Sequence, residues 1–181
     1  MAESAAAHAI KPLISAERIA RRVEELAQEI AASRLDRLII VAVLKGSFIF
    51  AADLIRALHR QGLAPEIDFI FLASYGKGTA SSGEVKVLRD VESELAGRDV
   101  VIVDDILDSG RTLAFAKALL ETRGARSVKT CVLIDKQGPR AAAVTPDFTG
   151  FPCPPVFVVG YGMDLAHHYR ELPFIGEVAA P

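Results

Sequence analysis

Apolar residues along this chain follow two rhythms. After Ser15, the residues Ile19, Val23, Leu26 and Ile30 fall at spacings of 4, 3 and 4, a single helical stripe. Ser15 stands where an N-cap belongs, and Glu17 favours the helix from its first turn. Leu38 to Leu44 is then a short, nearly continuous apolar run, as a strand covered on both faces requires. Phe48 to Arg60 reads as a second helix, with Gly62 just beyond its end. In Glu66 to Ala73, Ile67, Phe69 and Phe71 alternate with Asp68, Ile70 and Leu72, which predicts a strand. Ser74 to Gly83 consists almost wholly of Gly, Ser, Thr, Ala and Lys around Tyr75 and reads as an exposed, mobile loop. Beyond it the pattern gives a short strand at Val85 to Leu88 and a buried one at Val100 to Val103. A helix over Leu113 to Thr122 is closed by Gly124, and strands follow at Val128 to Ile134 and Val156 to Val159. Strands alternating with helices predict an α/β fold, a mostly parallel twisted sheet flanked by helices. In such sheets ligands bind beyond the carboxyl ends of the strands.

The 181 residues suffice for one domain with a sizeable core. A formal net charge of −2 disfavours a broad grip on nucleic acid, which needs many phosphate-neutralising cations. No apolar run reaches the roughly 18 residues of a membrane helix. Met1 to Ile10 is Ala-rich but carries Glu3 and no basic stretch, so it does not read as a signal peptide. Cys131 and Cys153 make no metal-ligand spacing, and Cys131 sits in an apolar run as a small buried hydrophobe. The expected compartment is a reducing cytoplasm.

Chemistry enters where Val100 to Val103 delivers the chain to Asp104 and Asp105, and Asp108-Ser109-Gly110-Arg111-Thr112 turns into the next helix. Backbone N–H groups at a helix N-terminus, joined by two hydroxyls, make a ready anion site. Gly110 lets the backbone approach a phosphate with no Cβ in the way. Asp104 and Asp105 repel phosphate, but they can accept from hydroxyls or hold a hydrated Mg²⁺. Hydroxyls beside a phosphate describe a ribose 5-phosphate. The plain alternative is an N-capped helix whose acids favour its positive end. Strand, paired acids and anion loop in one unbroken run weigh against that alternative. A nucleotide-binding P-loop is excluded, since G-x-x-x-x-G-K-[ST] is absent, and no G-x-G-x-x-G supports a dinucleotide fold.

The segment Val100 to Thr112 resembles the ribose-phosphate signature of the type I phosphoribosyltransferases. Three other stretches resemble the hypoxanthine-guanine branch of that family: Leu44-Lys45-Gly46-Ser47, Ser74-Tyr75-Gly76 with the loop to Lys86, and Asp135-Lys136 onward to Asp164. The resemblance implies the family's fold, one domain with a core over about residues 35–160 and a small hood formed by the chain termini. It implies phosphoribosyl transfer from phosphoribosyl pyrophosphate to a purine base, with Mg²⁺ as cofactor, in a homodimer or homotetramer.

Residue by residue, the resemblance makes Asp108 the general base and assigns the ribose and metal to Asp104 and Asp105. It assigns the 5-phosphate to Asp108, Ser109, Gly110, Arg111 and Thr112. Lys45, Gly46 and Arg170 would take the pyrophosphate, often through a non-proline cis peptide before the lysine. Ser74 and Tyr75 would open an active-site lid that excludes water from a cation-like transition state. Lys136 would donate to a purine 6-oxo group, Phe157 would stack on the ring, and Val158 would read the base edge through its backbone. Asp164 would lie near the purine 2-position and the metal, and Pro146-Asp147-Phe148 would belong to the same base-recognition set. Taken singly, Lys45 is a solvated turn lysine, Phe157 a core residue and Lys136 a surface charge. His8, His59, His167 and His168 read as surface residues, since this chemistry needs no histidine there.

The signature departs from common family variants in having Asp104 where many have Glu, and Arg111 where many have Lys. Both keep the charge. A xanthine-preferring relative stays open. A pyrimidine enzyme is disfavoured by the base-recognition set, and a regulatory RNA-binding protein on this fold by the net acidity.

Overall fold

A computed structural model describes residues 9–74 and 85–179. Among them the chain forms β1 (Ile10–Ile14), α1 (Ala16–Ala32), β2 (Ile39–Leu44), α2 (Phe48–Arg60), β3 (Glu66–Ser74) and β4 (Val85–Arg89). It continues through β5 (Asp99–Leu107), α3 (Arg111–Thr122), β6 (Ser127–Lys136), β7 (Phe148–Cys153), β8 (Val158–Val159) and β9 (Ile175–Val178). The larger sheet has the order β4-β3-β2-β5-β6-β7. Only β4 in it runs antiparallel to its neighbour.

Side-chain alternation explains the unbroken apolar strands. Ile40, Ala42, Val101, Val103, Cys131 and Leu133 pack with the α1 and α2 side chains Ile19, Leu26, Ile30 and Leu54. Ile39, Val41, Val100, Ile102 and Val132 face the other way, onto Leu113, Ala116 and Leu120 of α3. A strand covered on both faces has no polar face to show. Ser15 caps α1 as its position predicts, its Oγ accepting from the Arg18 N–H at 3.4 Å.

The connections place the site. From β2 the chain crosses through α2 to β3 on one side, and β5 then lies on the other side of β2. The strand order reverses there, so the loops after β2 and β5 diverge and open a crevice at their carboxyl ends.

Several segments differ from the sequence-based expectation, which gives no strand at β1 or β9. β5 and β6 run further, through Leu107 and Lys136, so Asp104 and Asp105 stand on a strand rather than in a loop, while Lys136 ends its strand as expected. β7 was hidden because Thr149, Gly150 and Pro152 break its apolar pattern; as an edge strand it tolerates the proline. Arg22 of α1 covers it, donating to the carbonyls of Thr149 (2.8 Å) and Gly150 (3.2 Å). Val156 to Val159 supplies only the two-residue β8, and not to the main sheet: it pairs antiparallel with β9, which pairs with β1. This three-stranded sheet, built from segments near the two ends of the chain, is the hood.

Candidate active site

The crevice at the β2/β5 junction is a cleft of about 240 Å³. Lys45, Gly46, Asp104, Asp105 and Asp108 through Gly110 line it, with Thr112. Parallel pairing of Ala42 with Val103 brings the ends of β2 and β5 level. The Leu44–Lys45 peptide is cis. Gly46 lies so close to Asp105 that a Cβ there would come within 1.9 Å of Asp105 Oδ2. No larger residue fits without displacing the carboxylate. Ser47 locks the same turn from beneath: fully buried, it donates from Oγ to the Val43 carbonyl at 2.6 Å.

Asp104 is buried and Asp105 half-buried beside it. The Asp105 N–H donates to Asp104 Oδ1 at 3.1 Å. Burial, followed by the charge of Asp105, pushes the Asp104 carboxyl well above the ordinary carboxylate range. Burial also raises Asp105, opposed by hydrogen bonds and by the field of Arg170. Two adjacent carboxyls, both raised chiefly by burial, suit hydroxyl donors or a hard cation.

Gly110 is the residue before α3 and takes the left-handed conformation, φ +80°. The Ala142 carbonyl oxygen sits 2.6 Å from where a Cβ would stand, so backbone packs directly on backbone here. The Ser109 hydroxyl accepts from the Arg111 N–H at 3.5 Å. The start of α3 thus lies beside Ser109, Gly110 and Thr112, all of which line the cleft.

Lys136, at the end of β6, donates to Asp108 Oδ2 at 3.2 Å. Two predicted site residues, 28 positions apart, are therefore direct partners. Arg170 and Asp164 are partners as well, at 2.6 Å. Arg170 also donates to the Gly162 carbonyl, and a Cβ at Gly162 would lie 2.1 Å from the Gly46 carbonyl oxygen. The turn around Gly162 therefore rests on the Lys45–Gly46 loop. Phe157 is 52% exposed, an aromatic face open to solvent, and Val158 is buried in the hood, register-paired with Glu177.

Other expectations are not assembled this way. Asp164 Oδ2 accepts from the His167 N–H at 2.8 Å while Oδ1 serves Arg170, and among the described residues no group of three or more His, Cys, Asp or Glu is arranged to hold a metal. Asp104, Asp105 and Asp164 are therefore not a preformed three-carboxylate cage. Asp147 and Phe148 lie away from the ligand edge. Asp147 accepts from Thr130 near the middle of β6, and Phe148 is buried beneath Lys129. Ser74 ends β3 at the carboxyl edge; Tyr75 lies outside the described residues. His59, His167 and His168 are exposed.

Tyr161 lies within the stretch that the resemblance assigns to the base, with no role of its own there. Its hydroxyl donates to Asp53 Oδ2 of α2 at 2.6 Å, anchoring a residue at φ +49° between Gly160 and Gly162. The Gly-Tyr-Gly spacing was the available signal.

An acidic strand end, an anion loop opening a helix, and a small hood over a parallel sheet define a phosphoribosyltransferase. The family model for the phosphoribosyl transferase domain matches residues 12–165. The chain is 44% identical over 167 residues to the hypoxanthine-guanine phosphoribosyltransferase of Bacillus subtilis, covering 92% of this chain and 91% of that protein. It is 40% identical over 174 residues to the hypoxanthine phosphoribosyltransferase of Escherichia coli K12, covering 94% and 96%. A hypoxanthine-guanine phosphoribosyltransferase structure from Bacillus anthracis superposes with a TM-score of 0.86 at 42% identity, covering 94% of this chain and all of that one. The chain belongs to the hypoxanthine phosphoribosyltransferase family.

Proposed function

We propose that this enzyme transfers the 5-phosphoribosyl group of phosphoribosyl pyrophosphate to hypoxanthine and guanine, releasing pyrophosphate. The observation that carries this reading is the Lys136–Asp108 contact at the rim of a cleft that also holds paired acids and an anion loop. It puts a donor suited to a 6-oxo group beside a carboxylate suited to a ring N–H.

In the transfer, the bond from the ribose anomeric carbon to pyrophosphate oxygen breaks, and its electron pair leaves with pyrophosphate. Purine N9 bonds to that carbon, and Asp108 accepts the proton from N7 as general base. Amides of Ser109 to Thr112, with Arg111, hold the 5-phosphate. The backbone at Lys45 and Gly46, with Arg170, faces the pyrophosphate, while Asp104 and Asp105 take the ribose hydroxyls. The same two acids fit Mg²⁺, which keeps water and substrate oxygens in its shell and needs no cage of three protein carboxylates. Bound there, Mg²⁺ would neutralise charge on the leaving group. Phe157 stacks on the purine, Val158 reads its edge through the backbone, and Asp164 orients Arg170 from the far side. Ser74 and Tyr75 begin the lid.

The enzyme works as a homodimer or homotetramer in the cytoplasm. Exposed Phe48, Phe69, Val87 and Leu88 support self-association, and the two buried free cysteines suit a reducing compartment. Among the described residues no helix is long and apolar enough to cross a membrane.

The test is a spectrophotometric assay with phosphoribosyl pyrophosphate, Mg²⁺ and each of hypoxanthine, guanine, xanthine and adenine. Turnover is expected with the first two. No turnover with any of the four would sink the reading.

A further inference from the structure

Between Lys136 and Val144 the chain makes a loop that regular structure does not hold. One guanidinium holds it instead. Arg140 donates through one terminal nitrogen to the Val144 carbonyl at 2.8 Å, and through the other to the Lys136 carbonyl at 3.2 Å. That second nitrogen also meets the Asp135 carboxylate, and the pair is mostly buried. The loop is thereby pinched at its neck. Arg140 Nε is buried with no partner among the described residues, so the fork is aimed by its two ends alone.

The pinched loop touches the other half of the site. At its crest, the N–H groups of Ala141 and Ala142 both donate to the Ser109 carbonyl, at 3.0 and 3.1 Å. The Ala142 carbonyl then packs against Gly110, leaving no space for a side chain. The anion loop before α3 is therefore seated on the crest of the loop that begins with Lys136. Arg140 lines none of the cleft under the anion loop.

We propose that Arg140 is a positioning residue that sets the 5-phosphate loop through the Ala141–Ala142 crest, and so couples the base end of the site to the phosphate end. The proposal rests on the phosphoribosyl-transfer reading above. A lysine at 140 can keep the charge beside Asp135, but a single ammonium cannot reproduce the planar fork onto both carbonyls. Opening the neck would withdraw two donors from Ser109 and let the amides of the phosphate loop drift.

Arg140→Lys and Arg140→Met test this by calorimetric titration with ribose 5-phosphate, which carries no base, alongside steady-state kinetics. Ribose 5-phosphate affinity is expected to fall about tenfold in Arg140→Met, the size of a lost hydrogen bond or two. Arg140→Lys should fall several-fold while melting near the wild-type temperature. KM for phosphoribosyl pyrophosphate should rise in parallel, with a smaller change in kcat. Ribose 5-phosphate affinity within twofold of wild type in folded Arg140→Lys would overturn the proposal, because charge pairing alone would then suffice. Wild-type protein that binds no ribose 5-phosphate would overturn the functional reading, and this proposal with it.

Discussion

The ammonium of Lys136 lies 3.2 Å from Asp108 Oδ2, so the end of β6 and the loop after β5 are joined by one charged hydrogen bond. Lys136 is the more enclosed partner, its side chain 16% exposed against 68% for Asp108. The pair is therefore worth little as a stabilising ion bridge. Its value lies in holding two chemically different groups at hydrogen-bond distance.

Asp108→Asn removes the proton acceptor and keeps the shape. Turnover with hypoxanthine is expected to drop at least about 100-fold, the usual scale for a lost general base. Affinity for inosine 5′-monophosphate should change much less. Pre-steady-state turnover and equilibrium titration read the two quantities separately, and near-wild-type turnover would refute the assignment.

Adenine should be a very poor substrate. Its 6-amino group presents hydrogens where Lys136 presents hydrogens, leaving a donor facing a donor. We expect kcat/KM for adenine at least about 100-fold below that for hypoxanthine. Comparable values would remove Lys136 from base selection.

Gly46→Ala should act on pyrophosphate handling more than on folding. The new methyl group has to displace the Asp105 carboxylate, which stands 1.9 Å from its ideal position. KM for phosphoribosyl pyrophosphate is expected to rise about tenfold or more, with the melting temperature nearly unchanged. A variant with wild-type kinetics would mean that the loop moves aside freely.

Asp99 governs acid stability. It is 3% exposed, sits at the far end of β5, and accepts from Arg126, from Ser127 Oγ at 2.7 Å and from the Asp36 N–H at 2.8 Å. The Arg126 guanidinium, with these donors, holds its carboxyl well below the usual range. The unfolded chain therefore takes up this proton at a higher pH than the folded one. The stabilisation is complete above the unfolded pKa of about 4 and is lost as pH falls below it. Asp99→Ala should cost about 1–3 kcal/mol at pH 7, because it leaves the Ser127 hydroxyl and the Asp36 N–H without their acceptor. The gap between variant and wild type in denaturant melts should narrow toward pH 3. A gap independent of pH would show that packing, not charge, is at stake.

Asp104→Asn should separate stability from function. Removing the buried charge beside half-buried Asp105 relieves their repulsion, so the ligand-free protein should melt no lower than wild type at pH 8. KM for phosphoribosyl pyrophosphate should nevertheless rise at least about tenfold. A large fall in melting temperature would show the carboxylate to be structural.

Much of this was legible because periodicity reports burial directly. β2 and β5 carry side chains into both cores, so their apolar runs are unambiguous, and the Ile19–Ile30 stripe gives α1 with its cap. Asp104 to Thr112 was legible for another reason: neighbours in sequence are neighbours in the cleft. β7 was not, because an edge strand covered by Arg22 needs no strong apolar signal. The sheet that β8 joins is not legible, because two residues cannot say which partner they pair with, and that partner lies near residue 177. Asp147 looked like part of the base site because it follows Lys136 closely along the chain, yet the chain has already turned back to begin β7. Contacts such as Tyr161 with Asp53, or Ala142 with Ser109, join residues whose meeting only the fold decides.

The hood carries a consequence for the order of events during synthesis. Ile10 pairs with Val178, and Val158 pairs with Glu177, so the strand beside Phe157 has no partner until residues 175–178 exist. Everything that lines the cleft at the β2/β5 junction has left the ribosome long before that. A nascent chain thus shapes the β2/β5 cleft while the strand beside Phe157 is still unpaired, so under the proposed roles phosphate binding would come before selectivity for the base.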